Sequence, residues 1–482
     1  MDIKNLEPKA LWKNFSDLNA IPRASKKEER VIAFAKSFGE KLGLPTHVDK
    51  VGNVIIKKPA TSGMEDRITV VLQSHLDMVH QKNADTEFDF DTEGIKMLID
   101  GDWVKADGTT LGADNGIGVA TIMALLESTD IDHPPIEALL TIDEETGMTG
   151  ALGLEGGLLE GKIMLNLDTE DDDELTIGCA GGVDVTAKGS YIQEDCPIGY
   201  KGVKVKLTGL TGGHSGMEIH LGRANANKLM NRILYEAGKK FDLRIGSVDG
   251  GSLRNAIPRE SFATIALSTN SDFAHFIKEW QMILQKEYGT TDADMRLSLE
   301  PCNCPEKICS ASFQKQFLAA VYACPNGIYR MSPDVPELVQ TSNNVARVLL
   351  GNGEYKVLCL TRGSVDSEKL DEAYAIVNTF ELIGASVTLS GEYPGWAPEP
   401  NATIIKTMSD LYLKLFGEKP HVYACHAGLE CGILGTNYPE MEMISFGPNI
   451  RGAHSPDEKV QISSVQKYWK YLLETLELIP KI

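Results

Sequence analysis

Five stretches of the chain set an acid or a histidine just past an apolar run or inside a Gly-rich loop. In SHLDMVH, residues 74–80, His75 closes an apolar run and Asp77 follows two positions later. An imidazole that binds a metal through one ring nitrogen needs an acceptor for the other, and Asp77 is placed to be that acceptor. LGADNGIG, residues 111–118, puts Asp114 among glycines ahead of a helical stretch. TIDEETG, residues 141–147, ends an apolar strand with Asp143, Glu144 and Glu145, three adjacent carboxylates that repel one another unless a cation or water sits among them. LNLDTEDDDE, residues 165–174, leads with Asp168, and the acids after it read as a solvated charge run. FGPNIRGAHSPDE, residues 446–458, carries His454 in a Gly/Pro loop.

Each motif alone has an ordinary structural account, as a surface histidine, a helix N-cap or a solvated loop. Together, His75, Asp114, Glu145, Asp168 and His454 offer imidazole nitrogen and carboxylate oxygen with no thiolate, a donor set that suits zinc, manganese or cobalt. Three carboxylates and one hydroxide balance two divalent ions, and a pair of ions ~3.5 to 4 Å apart activates water while polarising a carbonyl. Glu144, not needed as a ligand, is free to act as general base. Rival chemistries fit less well. The sequence around Ser215, Gly-His-Ser-Gly-Met, fails the G-x-S-x-G elbow at its last position. Cys425 and His426 are sequence neighbours, which rarely face each other productively. Cys302, Cys304 and Cys309 have the spacing C-x-C-x4-C and read as reduced thiols rather than a structural zinc site.

The elements that would carry these residues alternate. Ser25 and Glu28 form a capping box ahead of Val31, Ile32, Phe34, Ala35 and Phe38, an amphipathic helix. Strands are expected at 53–56, 68–72, 136–142 and 163–167, and a helix at 116–127, which makes a layered α/β domain. From about residue 182 the order becomes strand 203–210, helix 223–240, strands 241–245 and 262–267, helix 272–288 and strand 295–299, a βαββαβ pattern. Helix 311–323, strands 345–350 and 356–360, helix 366–380 and strand 386–390 nearly repeat it, which points to duplication. Cys179 to Gly182 and the Pro-rich segment around Pro394, Gly395, Pro398 and Pro400 read as the two crossings of a domain boundary. A helix at 403–416, a strand at 442–446 and a helix at 463–478 then restore the α/β character. The expected organisation is one domain split into residues 1–182 and 396–482, with residues 183–395 inserted as a second.

Length and composition agree with two domains. The chain has 482 residues, 42% hydrophobic and 24% charged, the make-up of an ordinary soluble protein with a sizeable core. Acidic residues outnumber basic ones, 68 to 47, and no dense basic block appears, so nucleic acid is not an expected partner. The longest apolar stretch, 116–126, is about half the ~20 residues a membrane span needs, so no membrane association is expected. The first residues lack a continuous apolar segment of the export type. Nine cysteines, an odd number spread through a long chain, fit a reducing cytoplasm.

In this order, the motifs resemble the M20 family of metallopeptidases, most closely its branch of cytosolic non-specific, or aminoacyl-histidine, dipeptidases. The likeness runs from AIPRASKKEER at Ala20 to the closing helix. It implies a mixed sheet flanked by helices, of zinc-exopeptidase type, in the split catalytic domain, and an α+β lid of duplicated βαββαβ type in the insertion. It also implies two divalent ions, zinc with manganese or cobalt as alternatives: Asp114 bridging, His75 and Asp168 on one ion, Glu145 and His454 on the other. Glu144 is then the base and Asp77 the residue that orients His75. Within the lid, GGHSG at 212–216 resembles the family's lid motif and makes His214 the oxyanion donor, with His220 a close rival. Asn255 in RNAIP and Arg362 in LTRGS resemble residues that hold the substrate's terminal carboxylate, and HAGLECG at 426–432 resembles a pocket-lining loop near Gly428.

Asp rather than Glu at position 168 goes, in this family, with dipeptidases and aminopeptidases. The expected reaction is hydrolysis of unblocked dipeptides, Xaa-His and broader, with small peptides as the substrate class. An N-acyl amino acid deacylase and a non-catalytic peptide-binding module are the alternatives. The insertion is larger than the single βαββ lid of dimeric members, which borrow a histidine from a partner, and the resemblance leaves open a homodimer formed through it.

Overall fold

The strand Val70–His75 reads VVLQSH and is buried at every residue, as are Ile136–Thr141 and Ile163–Asn166 beside it. Both neighbours run parallel to it, and continuous burial is what parallel strands covered on both faces require. The computed structural model describes residues 2–268 and 272–482. By contacts the chain falls into two units, the first Met1–Gly178, Pro398–Ala424 and Leu429–Ile482, the second Cys179–Ala397 and Cys425–Gly428.

In the first unit an eight-stranded sheet has the order Thr46–Val48, Val54–Lys58, Ile136–Thr141, Val70–His75, Ile163–Asn166, Glu442–Ser445, Glu174–Cys179, His421–Cys425. It is mixed, because the pairs involving Val54–Lys58 are antiparallel. Helices Glu29–Lys41, Ala113–Glu127, Thr403–Phe416 and Ile462–Glu477 give Val31, Ala35, Val119, Ile122, Met408, Leu411, Tyr468 and Leu472 to its core. The parallel strands all point their C-terminal ends to one edge, where open α/β sheets place their sites.

A smaller four-stranded sheet, Ile450–Arg451, Lys459–Gln461, Trp103–Ala106 and Met97–Asp100, is antiparallel in each pair. Its first two strands form a hairpin, and the hairpin loop carries His454.

The capping box expected from Ser25 and Glu28 does not form. The helix begins at Glu29 without a side-chain cap. Ser25 instead donates to Asp77 Oδ2 at 2.7 Å, and Glu28 accepts from the Lys26 and Asp143 N–H groups. Tertiary partners outcompete the local cap.

The second unit holds a nine-stranded sheet whose main path is Arg296–Cys302, Lys201–Thr208, Ser261–Leu267, Leu243–Gly251, Val339–Gly351, Glu354–Gly363, Gly181–Ser190, Ser386–Tyr393. Every pair along it is antiparallel. Numbered within each half by chain position, the strands run fourth, first, third, second, then second, third, first, fourth. The two halves are thus βαββαβ units with mirrored order. The first strand of the second half, Gly181–Ser190, precedes the whole first half in the chain, which is why a linear reading finds the repeat one strand short. Helices Ala226–Lys240, Phe273–Tyr288, Ala311–Ala323 and Asp366–Glu381 all contribute to one shared core. Among the described residues, no helix is long and apolar enough to cross a membrane.

Candidate metal centre

At the edge of the first unit's sheet, Asp114 stands between two imidazoles. Its Oδ1 lies 3.1 Å from His75 Nε2 and its Oδ2 lies 3.1 Å from His454 Nε2. His75 Nε2 is also 3.6 Å from Asp168 Oδ1, and His454 Nε2 is 2.9 Å from Glu145 Oε2. One donor atom each of His75, Asp114 and Glu145 fall within 4.8 Å of one another. All five residues singled out in the sequence therefore converge, with Asp114 at the centre.

Local backbone explains how. Gly112 takes a left-handed φ of 71° just before the helix Ala113–Glu127, and Asp114 and Asn115 keep non-helical angles inside its first turn. The Asn115 amide donates to the Leu167 carbonyl at 2.6 Å, which ties the Asp114 loop to the strand end that carries Asp168. Asp143 and Met148, both at positive φ, bracket the short helix Glu144–Gly147 and so turn Glu144 and Glu145 back toward the sheet edge. Asp143 holds that turn by accepting from the hydroxyls of Thr146 and Thr149. His454 itself has φ 62° in the hairpin loop.

Behind His75, Asp77 is completely buried and accepts from Ser25 and from the backbone N–H groups of Glu144 at 3.1 Å and Glu145 at 3.3 Å. Burial alone would raise its carboxyl, but hydrogen bonds from His75, Ser25 and the backbone hold it down to about 2. Burial pushes Glu144 up to about 8, helped by the nearby carboxylates of Glu430, Glu145 and Asp114 and opposed by His75. Hydrogen bonds donated to Asp114 and Glu145 draw His454 up to about 11. Asp168 is raised well above the usual carboxylate range by burial.

So dense a set of buried acids asks for a cation. Glu145 Oε1 is buried without a hydrogen-bond partner, although buried polar atoms are nearly always satisfied. Its neighbours are all nitrogen and carboxylate donors of the kind that hold zinc, manganese or cobalt. These residues fit a divalent metal centre.

The other sequence candidates lie in the second unit. His214 accepts on Nδ1 from the N–H groups of Gly216 and Met217, at 3.1 and 3.0 Å. Burial and the Arg362 guanidinium lower its pKa, so the neutral ring carries its proton on Nε2. His220 is exposed. The Asn255 carbonyl accepts from Ser215 N–H at 2.8 Å, which sets its residue beside the His214 loop.

 That 2.8 Å bond from Ser215 to Asn255 closes the loop, with Asn255 exposed at its rim. Arg362 is buried, donates to the Tyr393 hydroxyl at 3.0 Å, and leaves its Nε without a partner. Gly428 belongs to the short segment Cys425–Gly428 that clusters with this unit, where the Ala427 carbonyl accepts from Ala180 N–H at 2.9 Å.

Several residues escaped the sequence reading. Glu458 and Arg23, both buried, brace the Asp114 loop. Buried Glu430 accepts from Gln73 and Thr141 on strands that lead to the site. Glu170, expected to be solvated, is half-buried, and burial pushes it up to about 7. Its neighbour Asp172 pairs with Lys467 at 2.7 Å. Only long-range contacts distinguish these acids from surface ones, and no local spacing announces them. Among the described residues, no cysteine joins a metal-holding group, and Cys304 lies 3.2 Å from Cys196.

The model of peptidase family M20/M25/M40 matches residues 71–478. The chain belongs to this family. It is 42% identical over 482 residues to the cytosol non-specific dipeptidase of Escherichia coli (strain K12), covering 99% of each chain. Its fold matches the crystal structure of aminoacylhistidine dipeptidase from Vibrio alginolyticus with a TM-score of 0.96 and 45% identity, over 100% of this chain and 99% of that one. The aminopeptidase PepT of Bacillus cereus shares the fold more distantly, with a TM-score of 0.58 and 15% identity over 98% of both chains. As an M20 peptidase the chain is a metal-dependent hydrolase by family, and the convergence on Asp114 is where its sequence departs from an ordinary α/β surface.

Proposed function

We propose that this M20 peptidase is a dinuclear metal-dependent dipeptidase that hydrolyses unblocked dipeptides, Xaa-His among them, in the cytoplasm. The observation that carries the reading is the position of Asp114, whose two oxygens face different imidazoles. That arrangement supports Asp114 as the bridge, His75 and Asp168 as ligands of one ion, and Glu145 and His454 as ligands of the other. The names of the two relatives that match over the full length, both dipeptidases, support the substrate class. Zinc is the proposed metal, with manganese or cobalt able to use the same donors.

Divalent ions held by these residues would, when bound, supply Lewis-acid polarisation of the scissile carbonyl and of the attacking water. Glu144 takes the proton from that water and passes it to the leaving nitrogen, a task suited to a carboxyl whose burial brings it near neutral pH. Asp77 keeps the His75 ring in one orientation by holding Nδ1. In the second unit, proposed to serve as a lid, His214 donates a hydrogen bond from Nε2–H to the developing oxyanion. Arg362, with its unpartnered Nε, and Asn255 receive the substrate's terminal carboxylate, and the loop at Gly428 lines the substrate pocket.

The test is release of free amino acids from an unblocked dipeptide and from its N-acetylated twin, using chelator-stripped protein with and without added zinc, manganese or cobalt. Metal-dependent cleavage of the unblocked peptide alone is the expected result. Cleavage of the acetylated twin alone would make the protein a deacylase instead.

A further inference from the structure

We propose that Glu458 and Arg23 are positioning residues that hold three ligand-bearing segments in metal-binding register through the peptide unit joining Gly112 to Ala113. The inference rests on the metallopeptidase reading above.

Glu458 is 2% exposed, and its two oxygens receive four consecutive backbone N–H groups. Oε2 accepts from Leu111 at 2.6 Å and Gly112 at 2.9 Å, and Oε1 accepts from Ala113 at 2.7 Å and Asp114 at 3.2 Å. Two of these N–H groups lead into the helix Ala113–Glu127 and two lie in its first turn, where no residue of the helix caps them. A carboxylate there forms charge-assisted hydrogen bonds and meets the positive end of the helix dipole.

Arg23, 0% exposed, approaches the same peptide from the other side. One terminal nitrogen donates to the Gly112 carbonyl at 2.6 Å, and the other donates to the carbonyls of Leu76 and Asp77, both at 3.0 Å. The carbonyl of Gly112 and the N–H of Ala113 belong to a single peptide unit. That unit is therefore polarised between a buried guanidinium and a buried carboxylate, and its orientation is fixed at both ends. Gly112 is required because a Cβ would lie 2.7 Å from Met78 Sδ and closer still to Arg23.

Each contact leads to a ligand. The Leu76 and Asp77 carbonyls follow His75, and the Asp77 carbonyl itself lies 3.1 Å from His75 Nδ1. Asp114 is the last residue whose N–H Glu458 receives. Glu458 ends the tight loop that contains His454, closed by Ser455 N–H to Gly452 and Glu458 N–H to Ser455, at 3.2 and 3.0 Å. A simple helix cap would engage the helix start alone. This pair also fixes where His75 and His454 stand relative to Asp114.

The experiment compares wild type with Glu458→Gln, whose amide offers one acceptor oxygen and turns an NH2 group toward two of the four donors. Cobalt is titrated into each chelator-stripped protein while the visible absorption of the ion is followed, and hydrogen exchange is measured before metal is added. The variant is expected to bind cobalt 10 to 100-fold more weakly, the usual loss when a supporting partner of a ligand is removed. Its cobalt spectrum should change, and the amides of residues 111–114 should exchange faster while those of the second unit keep their protection. Asp457→Asn, an exposed neighbour in the same loop, should behave as wild type.

Unchanged cobalt affinity and spectrum in Glu458→Gln would overturn the inference, as would a loss of exchange protection spread evenly through both units. Should the variant not fold, wild type decides. Amides 111–114 protected before metal is added support positioning by Glu458 and Arg23, whereas protection that arises only with cobalt overturns it. A wild-type chain that takes up no cobalt overturns the metallopeptidase reading, and the inference with it.

Discussion

Asp77 meets the His75 ring twice, with Oδ1 3.4 Å and its own backbone carbonyl 3.1 Å from Nδ1. The ring is thereby turned so that Nε2 faces Asp114 and Asp168. The same carboxylate receives the N–H groups of Glu144 and Glu145, so one side chain positions both a proposed ligand and the proposed base. Asp77→Asn keeps the size but removes the charge and one acceptor. Turnover and metal affinity should fall 10 to 100-fold, which metal titration and steady-state kinetics measure separately.

On the proposed mechanism Glu144 contributes to chemistry rather than to metal retention. Glu144→Gln should lower turnover by roughly 10² to 10⁴-fold and leave cobalt uptake at the wild-type stoichiometry. Near-normal turnover in that variant would remove Glu144 from the role of base.

Gly118 lies one turn into the helix that follows Asp114. A Cβ there would stand 2.6 Å from Asn115 Oδ1 and 2.7 Å from the Leu167 carbonyl, and closer still to Ser74 Oγ. Those three residues adjoin Asp114, Asp168 and His75. Gly118→Ala should destabilise the protein by about 1 to 3 kcal/mol through overpacking and also reduce activity at temperatures well below the shifted melting point. Differential scanning calorimetry beside an activity assay checks both.

Glu372, on the helix Asp366–Glu381, is fully buried and neither of its oxygens has a partner. Burial pushes its carboxyl from the ordinary 4.5 up to about 8. The folded protein therefore holds a proton that the unfolded chain gives up between those values, so stability is present below pH 4.5 and declines as pH rises toward 8. The decline is of order 4 to 5 kcal/mol at 1.36 kcal/mol per unit. Glu372→Gln should flatten it, which denaturant melts at pH 5, 6.5 and 8 would show as a smaller spread of midpoints.

The five residues that meet around Asp114 were legible in the sequence because each sits at a place that local pattern marks. His75 and Asp168 follow apolar strands, Glu145 ends one, and Asp114 and His454 lie in Gly-rich loops. The helix Ala311–Ala323 was legible to the residue, since Ser310 supplies a side-chain cap to Phe313 N–H. What was hidden depends on partners far away in the chain. Glu458 looks like a loop acid until residues 111–114 close on it, and Ser25 reads as a cap until Asp77 claims its hydroxyl. The strand Gly181–Ser190 was lost in the domain boundary, because its pairing partners, Glu354–Gly363 and Ser386–Tyr393, come more than 150 residues later.

The first unit is interrupted by the second, and His454 and Glu458 come from the part that follows the interruption. On the ribosome, the strands and loops bearing His75, Asp114, Glu145 and Asp168 emerge long before their partners. Domains are made and tend to fold in order, N-terminal first, and contacts between distant segments form slowly. A nascent chain that ends within the second unit thus holds four of the five proposed ligands and no cradle for the Asp114 loop. Translation order leaves this cluster incomplete until the hairpin that carries His454 has been synthesised, which on the proposed mechanism keeps an unfinished copy from cleaving the peptides around it.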